Sequence, residues 1–320
     1  MLSNILSAYG FLGIDNKSSR YRILPIRGQL GLIQATNVDI DRSGAVYSVR
    51  KPLKFLDGNF SSLFQHQDYL FFVRNSVLCV MDREDIISEL HPVSRWFVDF
   101  SSIGPFVFFT GDEFIGKIFN LEVEFPDREV SESFSHALFD VENKEPEFRG
   151  THSTEYVIKY GLPTGEFCSA SQGRVFSASE NVVRFSNPLD YLYMSQDNFL
   201  LTEGVITSLT GTPSFLFIGT DKGAFSLRFS EEAASIHKLS NLPVLYRSSC
   251  PITWVPQSWE ARGDIVIFAN RESIYITDGS ECKAVTNYFC PGAIDTLCSS
   301  VIVKSVHDGA RIFQYVLTTK

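Results

Sequence analysis

A two-run apolar unit recurs along this chain at intervals few folds use. Its clearest copy is Ser214 to Arg228, where Phe215, Phe217 and Gly219 alternate with Leu216, Ile218 and Thr220. Asp221-Lys222-Gly223 follows, and Ala224 to Phe229 runs apolar again. Two β-rich runs around Asp-x-Gly read as a hairpin, because Gly reaches φ > 0 at no steric cost and Asp tolerates it. Comparable pairs stand at Asn37 to Arg50, Tyr69 to Met81, Phe106 to Phe119, Arg174 to Ser186, Asp264 to Thr277 and Val301 to Val316.

Marked at Val38, Leu70, Val107, Val175, Leu216, Ile265 and Ile302, the seven copies are spaced 32, 37, 68, 41, 49 and 37 residues apart. A four-stranded propeller blade takes roughly 40 to 50 residues, so five of the six gaps fit one blade each. Shorter β-like runs precede the hairpins at Phe60 to Phe64, Trp96 to Phe100, Gly204 to Leu209, Ile252 to Val255 and Ala293 to Leu297. In a propeller such a run is the innermost strand, lining the axis. A β-sandwich also has short, regularly spaced strands, but at about 8 to 12 residues. The expectation is therefore an all-β chain, a β-propeller of six to seven blades made of small antiparallel sheets over residues 21–320. The strand expected at Tyr21 to Ile26 would close the ring against the last hairpin.

The 68-residue gap holds a charged insertion at about 122–149, containing Glu-Phe-Pro-Asp-Arg-Glu-Val-Ser-Glu-Ser and Asp-Val-Glu-Asn-Lys-Glu-Pro-Glu. Insertions on repeat proteins map to one face, often the binding face. It is expected to project and to contact a neighbour, with Phe125, Phe134, Leu138, Phe139 and Phe148 as interface anchors, since aromatic residues are enriched at interface cores. The competing expectation is a degenerate extra blade packed within the chain. Residues 1–20 are apolar without a basic n-region and read as an irregular docking segment or short helix, not a signal peptide.

Chemistry-bearing patterns are scarce. The six histidines (66, 91, 136, 152, 237, 307) form no H-x-x-x-H or H-E-x-x-H. Asp39 and Asp41 begin a phrase like a calcium loop, but Ser43 stands where a third ligand belongs. Cys79, Cys168, Cys250, Cys282, Cys290 and Cys298 form no C-x-x-C and read as unbridged thiols in a reducing compartment. No catalytic, cofactor-binding or metal residue emerges, so the chain reads as a non-enzyme without cofactors. A formal net charge of −9 offers no basic face for tight nucleic-acid binding. No apolar run reaches the roughly 20 residues that span a bilayer.

Three stretches resemble the β-propeller tail proteins of tailed bacteriophages, the group that includes podophage tail nozzles. They are Ala35 to Leu53, with N-V-D-I-D-R-S-G and with Pro52-Leu53 in place of the family's Pro-Gly; Gly173 to Tyr191, with its Ser-Asn-Pro; and Ile206 to Leu227. The likeness spans residues 30–230, and its motifs describe blade construction. It implies a structural virion protein, a tail nozzle, hub or head-to-tail connector, made in the host cytoplasm. Its partners would be other tail or connector proteins. Copies would form a homo-oligomeric ring of about six around the DNA exit channel. DNA would pass transiently without sequence-specific binding, and an acidic lumen would not hold its phosphates. Two other readings stay open: a host-cell propeller acting as a protein-interaction scaffold, and a glycan-binding propeller using Trp254 and Trp259.

Overall fold

The computed structural model of the chain describes residues 59–95, 97–136, 153–229, 234–252, 264–270 and 274–284, together with the strands Phe11–Ile14, Leu30–Leu32, Val38–Ile40, Val46–Ser48, Leu297–His307 and Ala310–Thr319. The described secondary structure is β throughout. Five four-stranded antiparallel sheets follow one another. The first is Phe60–His66, Tyr69–Arg74, Val77–Met81 and Ile87–Pro92. The second is Phe100–Ile103, Phe106–Thr110, Ile115–Phe119 and Glu122–Glu124. The third is Phe167–Ser171, Arg174–Ser179, Val182–Phe185 and Phe199–Leu201. The fourth is Ile206–Gly211, Leu216–Thr220, Ala224–Phe229 and Ala234–Ser240. The fifth is Cys250–Ile252, Ile265–Ala269, Ile274–Thr277 and Cys282–Ala284.

Within each sheet the strands lie in chain order, and the first strands of successive sheets face one another. Phe60–His66 meets Phe100–Ile103, which meets Phe167–Ser171, then Ile206–Gly211, then Cys250–Ile252, then Leu297–His307. Sheets joined at their first strands and fanning outward from them make a β-propeller. The second and third strands are the most buried, and Leu216–Thr220 is buried along its whole length. The fourth strands are exposed, as in Ala234–Ser240 and Glu122–Glu124.

A single sheet has two faces to cover, and here the neighbouring sheets cover them. Phe71, Val73, Val107 and Phe109 share a core between the first two sheets. Phe108, Ile115, Cys168 and Val175 share one between the second and third. Phe176, Val183, Leu216 and Leu227 fill the next. Phe217 meets Phe268 across the fourth and fifth sheets at 4.8 Å between ring centroids. Aromatic pairs add about 0.5–1.5 kcal/mol each beyond their buried area.

The expected hairpins form in all seven places, with local differences. Asn75 and Ser76 both have positive φ (50° and 63°), as a two-residue type I′ turn requires. In the turn at 221–223, Gly223 is not left-handed. It must be glycine because the carbonyl of Ser240 occupies the place a Cβ would take. Thr220 makes that turn instead, its Oγ1 accepting from the amides of Lys222 (3.2 Å) and Gly223 (3.0 Å). The last hairpin is longer than expected, pairing Leu297–His307 with Ala310–Thr319. The innermost strand expected at Trp96 to Phe100 begins only at Phe100, because residues 97–99 turn into the axial mouth. Phe11–Ile14, expected to be irregular or helical, is a strand parallel to Leu30–Leu32. The closing strand expected at Tyr21 to Ile26 lies outside the described residues, as do residues 253–255 and 293–296 of two expected innermost runs.

The charged insertion begins as ordinary blade: Glu122–Glu124 is the fourth strand of the second sheet. Beyond it, Glu129–His136 and Ser153–Gly161 form a long hairpin. Its base is held by Tyr193–Met194, paired only to Tyr160 and Gly161. Leu162, fully buried, wedges that base between the second and third sheets. The first strands of those sheets still touch directly, so the hairpin contributes no strand at the axis.

Gly211 sets how closely the third and fourth sheets approach. A Cβ there would overlap the carbonyl of Ala170 on the adjacent first strand. Gly211→Ala is expected to destabilise the chain by about 1–3 kcal/mol through overpacking, read as a lower urea midpoint at unchanged slope.

Candidate functional site

The segments that enter the first strands converge at one mouth of the axis. There they line a cavity of about 380 Å³. Phe97, Val98 and Asp99 precede the second sheet, Glu166 precedes the third, and Tyr246 to Ser249 precede the fifth. Arg247 crosses this mouth. Its Nη1 donates to Asp99 Oδ1 at 3.0 Å, its Nη2 to the Glu166 carbonyl at 2.8 Å, and its Nε to Tyr246 Oη at 3.0 Å. The guanidinium lies 3.9 Å from the Phe97 ring centroid and 4.8 Å from that of Phe167. Arg247 has φ +51°, a left-handed conformation that residues other than glycine adopt infrequently.

Asp99 is held from two sides. Its Oδ2 accepts the Cys168 amide at 2.9 Å, and its own amide donates to Thr110 Oγ1 at 2.9 Å. Burial pushes the Asp99 carboxyl above its usual range; the Arg247 charge and the Cys168 amide oppose this without cancelling it. The Cys168 thiol is pushed well up, first by burial and then by the Asp99 charge. Burial, and a hydrogen bond donated to Glu166, raise the Tyr246 phenol. The pair thus ties the segment before the fifth sheet to the second and third sheets.

Hydroxyls stand beside it. Ser208 and Ser249 share a hydrogen bond, and Thr210 Oγ1 lies 2.6 Å from Ser249 Oγ. Ser62 Oγ accepts the Val98 amide at 2.8 Å.

The residues expected at an interface are not gathered here. Phe125 is half-buried and packs within the chain, its ring 5.6 Å from Phe109 and 5.0 Å from His91. Phe134 lies on the strand Glu129–His136 of the inserted hairpin. Leu138, Phe139 and Phe148 fall outside the described residues, as do Trp254 and Trp259. Among the described residues no three His, Cys, Asp or Glu side chains cluster as a metal site, and no helix is long and apolar enough to cross a membrane. Cys79, Cys168 and Cys282 are free thiols.

Sequence reading missed Asp99 and Arg247, which lie 148 positions apart. The signal that finds them is positional. Once the repeat is set in register, the residues just before each first strand meet at one mouth.

No family model and no curated protein sequence matches the chain. Among solved structures it is similar to virginiamycin B lyase from Staphylococcus aureus, at 11% identity over 88% of this chain and 84% of that one, with TM-score 0.42. It is similar to the Neurospora crassa Pan2 WD40 domain at 11% identity, over 72% and 80%, with TM-score 0.36. Kluyveromyces lactis Hsv2 gives 13% identity over 75% and 91%, with TM-score 0.37. Likenesses this distant carry no information about activity.

Removing one partner of a mostly buried ion pair leaves the other charge uncompensated. Arg247→Met and Asp99→Leu are each expected to cost about 2–4 kcal/mol, and the double variant less than the sum, in a double-mutant cycle read by urea unfolding. The pH dependence has a definite sign. The folded pKa of Asp99 lies above its unfolded value, so ionisation of this group lowers stability; the deficit is absent below the unfolded pKa and complete above the folded one. The stability of the native chain relative to Asp99→Asn should therefore fall as pH rises from about 4 through the folded value, and level off above it.

Proposed function

We propose that this chain is a structural assembly propeller, and within that class a component of a bacteriophage tail. Copies would form a ring with other tail or connector proteins around the DNA exit channel of the virion. The observation that carries the assembly role is the inserted hairpin. Glu129–His136 and Ser153–Gly161 add no strand at the axis, and among the described residues their strand pairing to the rest of the fold is at Tyr160 and Gly161, so we read them as a two-stranded arm. An arm of that kind suits contact with a neighbour. Exposed apolar side chains support the reading: Phe119 and Leu121 on the second sheet, Leu189 and Leu201 around the third, Ile236 on the fourth. The axial charges favour a structural role too, because Arg247 and Asp99 are committed to each other and to joining blades.

The tail assignment rests on the sequence likeness. Its stretches Gly173 to Tyr191 and Ile206 to Leu227 coincide with strand pairs of the third and fourth sheets.

Shortening the arm tests the proposal. Ser131 pairs with Ile158, so residues 132–157 can be replaced by Asn-Gly, which favours a type I′ turn. This removes Phe134, Leu138, Phe139 and Phe148 and leaves Phe125. The expected result is an unchanged urea midpoint with loss of the rings that the full chain forms in negative-stain images and sedimentation. A full chain that stays monomeric at high concentration, or a shortened chain that assembles equally well, would overturn it.

A further inference from the structure

The cavity at the axial mouth has two features that the blade-joining role of Arg247 leaves unexplained. The first is a bulge in the strand Phe60–His66. Its register with Tyr69–Arg74 shifts between Ser61 and Phe64, and Ser62 sits at φ +61°. A β-bulge re-aims a side chain, and such strain in a residue other than glycine persists where the surroundings enforce it. Here Leu63 lines the cavity while remaining 70% exposed. Phe64, Phe97 and Phe100 stand on the same cavity.

The second feature is a surplus of hydroxyl protons. Ser208, Ser249 and Thr210 carry three O–H groups joined by two hydrogen bonds, which use two of the three protons. Ser62 Oγ accepts from Val98, and its own proton has no acceptor among the described residues. Ser62, Ser208 and Ser249 thus offer hydroxyl groups beside the aromatic and aliphatic walls of the cavity, with Thr210 behind them. Ser62 and Ser249 are half-buried and can reach a molecule in the cavity, while Ser208 and Thr210 lie deeper and hold Ser249 in place. Water can satisfy hydroxyls but gains nothing from the apolar wall. Of the charged groups lining the cavity, Arg247 and Asp99 engage each other, and the exposed Glu166 carboxylate lies outside the lining, so an ionic ligand would lose hydration without meeting a free counter-charge there.

We propose that the axial cavity binds a neutral sugar ring, free or as the end of a glycan. A pyranose has C–H faces for the Phe and Leu63 walls and hydroxyls that both donate and accept, matching Ser62, Ser208 and Ser249. The volume of about 380 Å³ is sufficient for one ring with its substituents and lies in the range of about 300–1,000 Å³ usual for small-molecule sites. The proposal is independent of the tail assignment.

Saturation-transfer NMR and calorimetry with the methyl pyranosides of glucose, galactose and N-acetylglucosamine test it, with glucuronate as the charged control. At least one neutral glycoside is expected to bind with a millimolar Kd and glucuronate more weakly. Leu63→Asp, a change at an exposed site, should weaken binding at least tenfold, and Ser249→Ala about fivefold, with urea midpoints confirming that both variants fold. A disaccharide binding better than its terminal methyl glycoside identifies a glycan as the source; equal binding identifies a free sugar. No binding at about 50 mM, preference for glucuronate, or binding untouched by Leu63→Asp would overturn the proposal.

Discussion

Each sheet in this protein depends on its neighbours to cover its faces. A four-stranded sheet with Phe and Val on both sides of its middle strands has no stable existence in water alone, since burying those side chains is its main source of stability. Phe108 and Phe109 show the constraint in two adjacent residues. They point to opposite faces of one strand, and one fills the core shared with the third sheet, the other the core shared with the first. The run Phe106–Thr110 therefore requires a sheet on either side of it. Phe217 and Ile218 impose the same requirement on the fourth sheet. A circular arrangement meets it everywhere with no outer layer.

That constraint explains what the sequence disclosed. Doubly buried middle strands are apolar without interruption, so Tyr69–Arg74, Leu216–Thr220 and Ile265–Ala269 stand out from their surroundings. The first and fourth strands carry a weaker pattern because each meets solvent or the axis on one side. Glu122–Glu124 is an outer strand with two glutamates, and composition alone places it in the charged insertion. Composition places Phe125 there too, yet the chain turns at that point and buries the ring on Phe109. The innermost strand near Trp96 is displaced because Phe97 and Asp99 answer to Arg247, a residue from the segment before the fifth sheet, and no local propensity encodes that.

The turn at 221–223 shows a right location reached through an incomplete reason. The sequence pattern predicts glycine there for left-handed backbone, but the structure needs it for the close approach of Ser240 on the fourth strand. Thr220, whose hydroxyl accepts two turn amides and whose own amide donates to the Gly223 carbonyl at 2.7 Å, replaces the positive-φ device. Sequence reading sees a glycine and a turn; it does not see which neighbour excludes the side chain.

The Arg247–Asp99 pair is best understood through geometry. Taking two charges out of water is costly, and well-packed apolar residues of similar size often serve stability as well or better. Stability is thus a weak explanation for an ion pair at this place. What apolar residues would not supply is direction. The planar guanidinium makes bonds to Asp99, the Glu166 carbonyl and Tyr246 at fixed angles, while its faces are covered by Phe97 and Phe167. Three sheets are thereby held at set positions around one opening. The pair lies on the lining of the axial cavity together with Ser62 and Leu63 of the bulged strand, so the feature that joins the blades also borders the space between them.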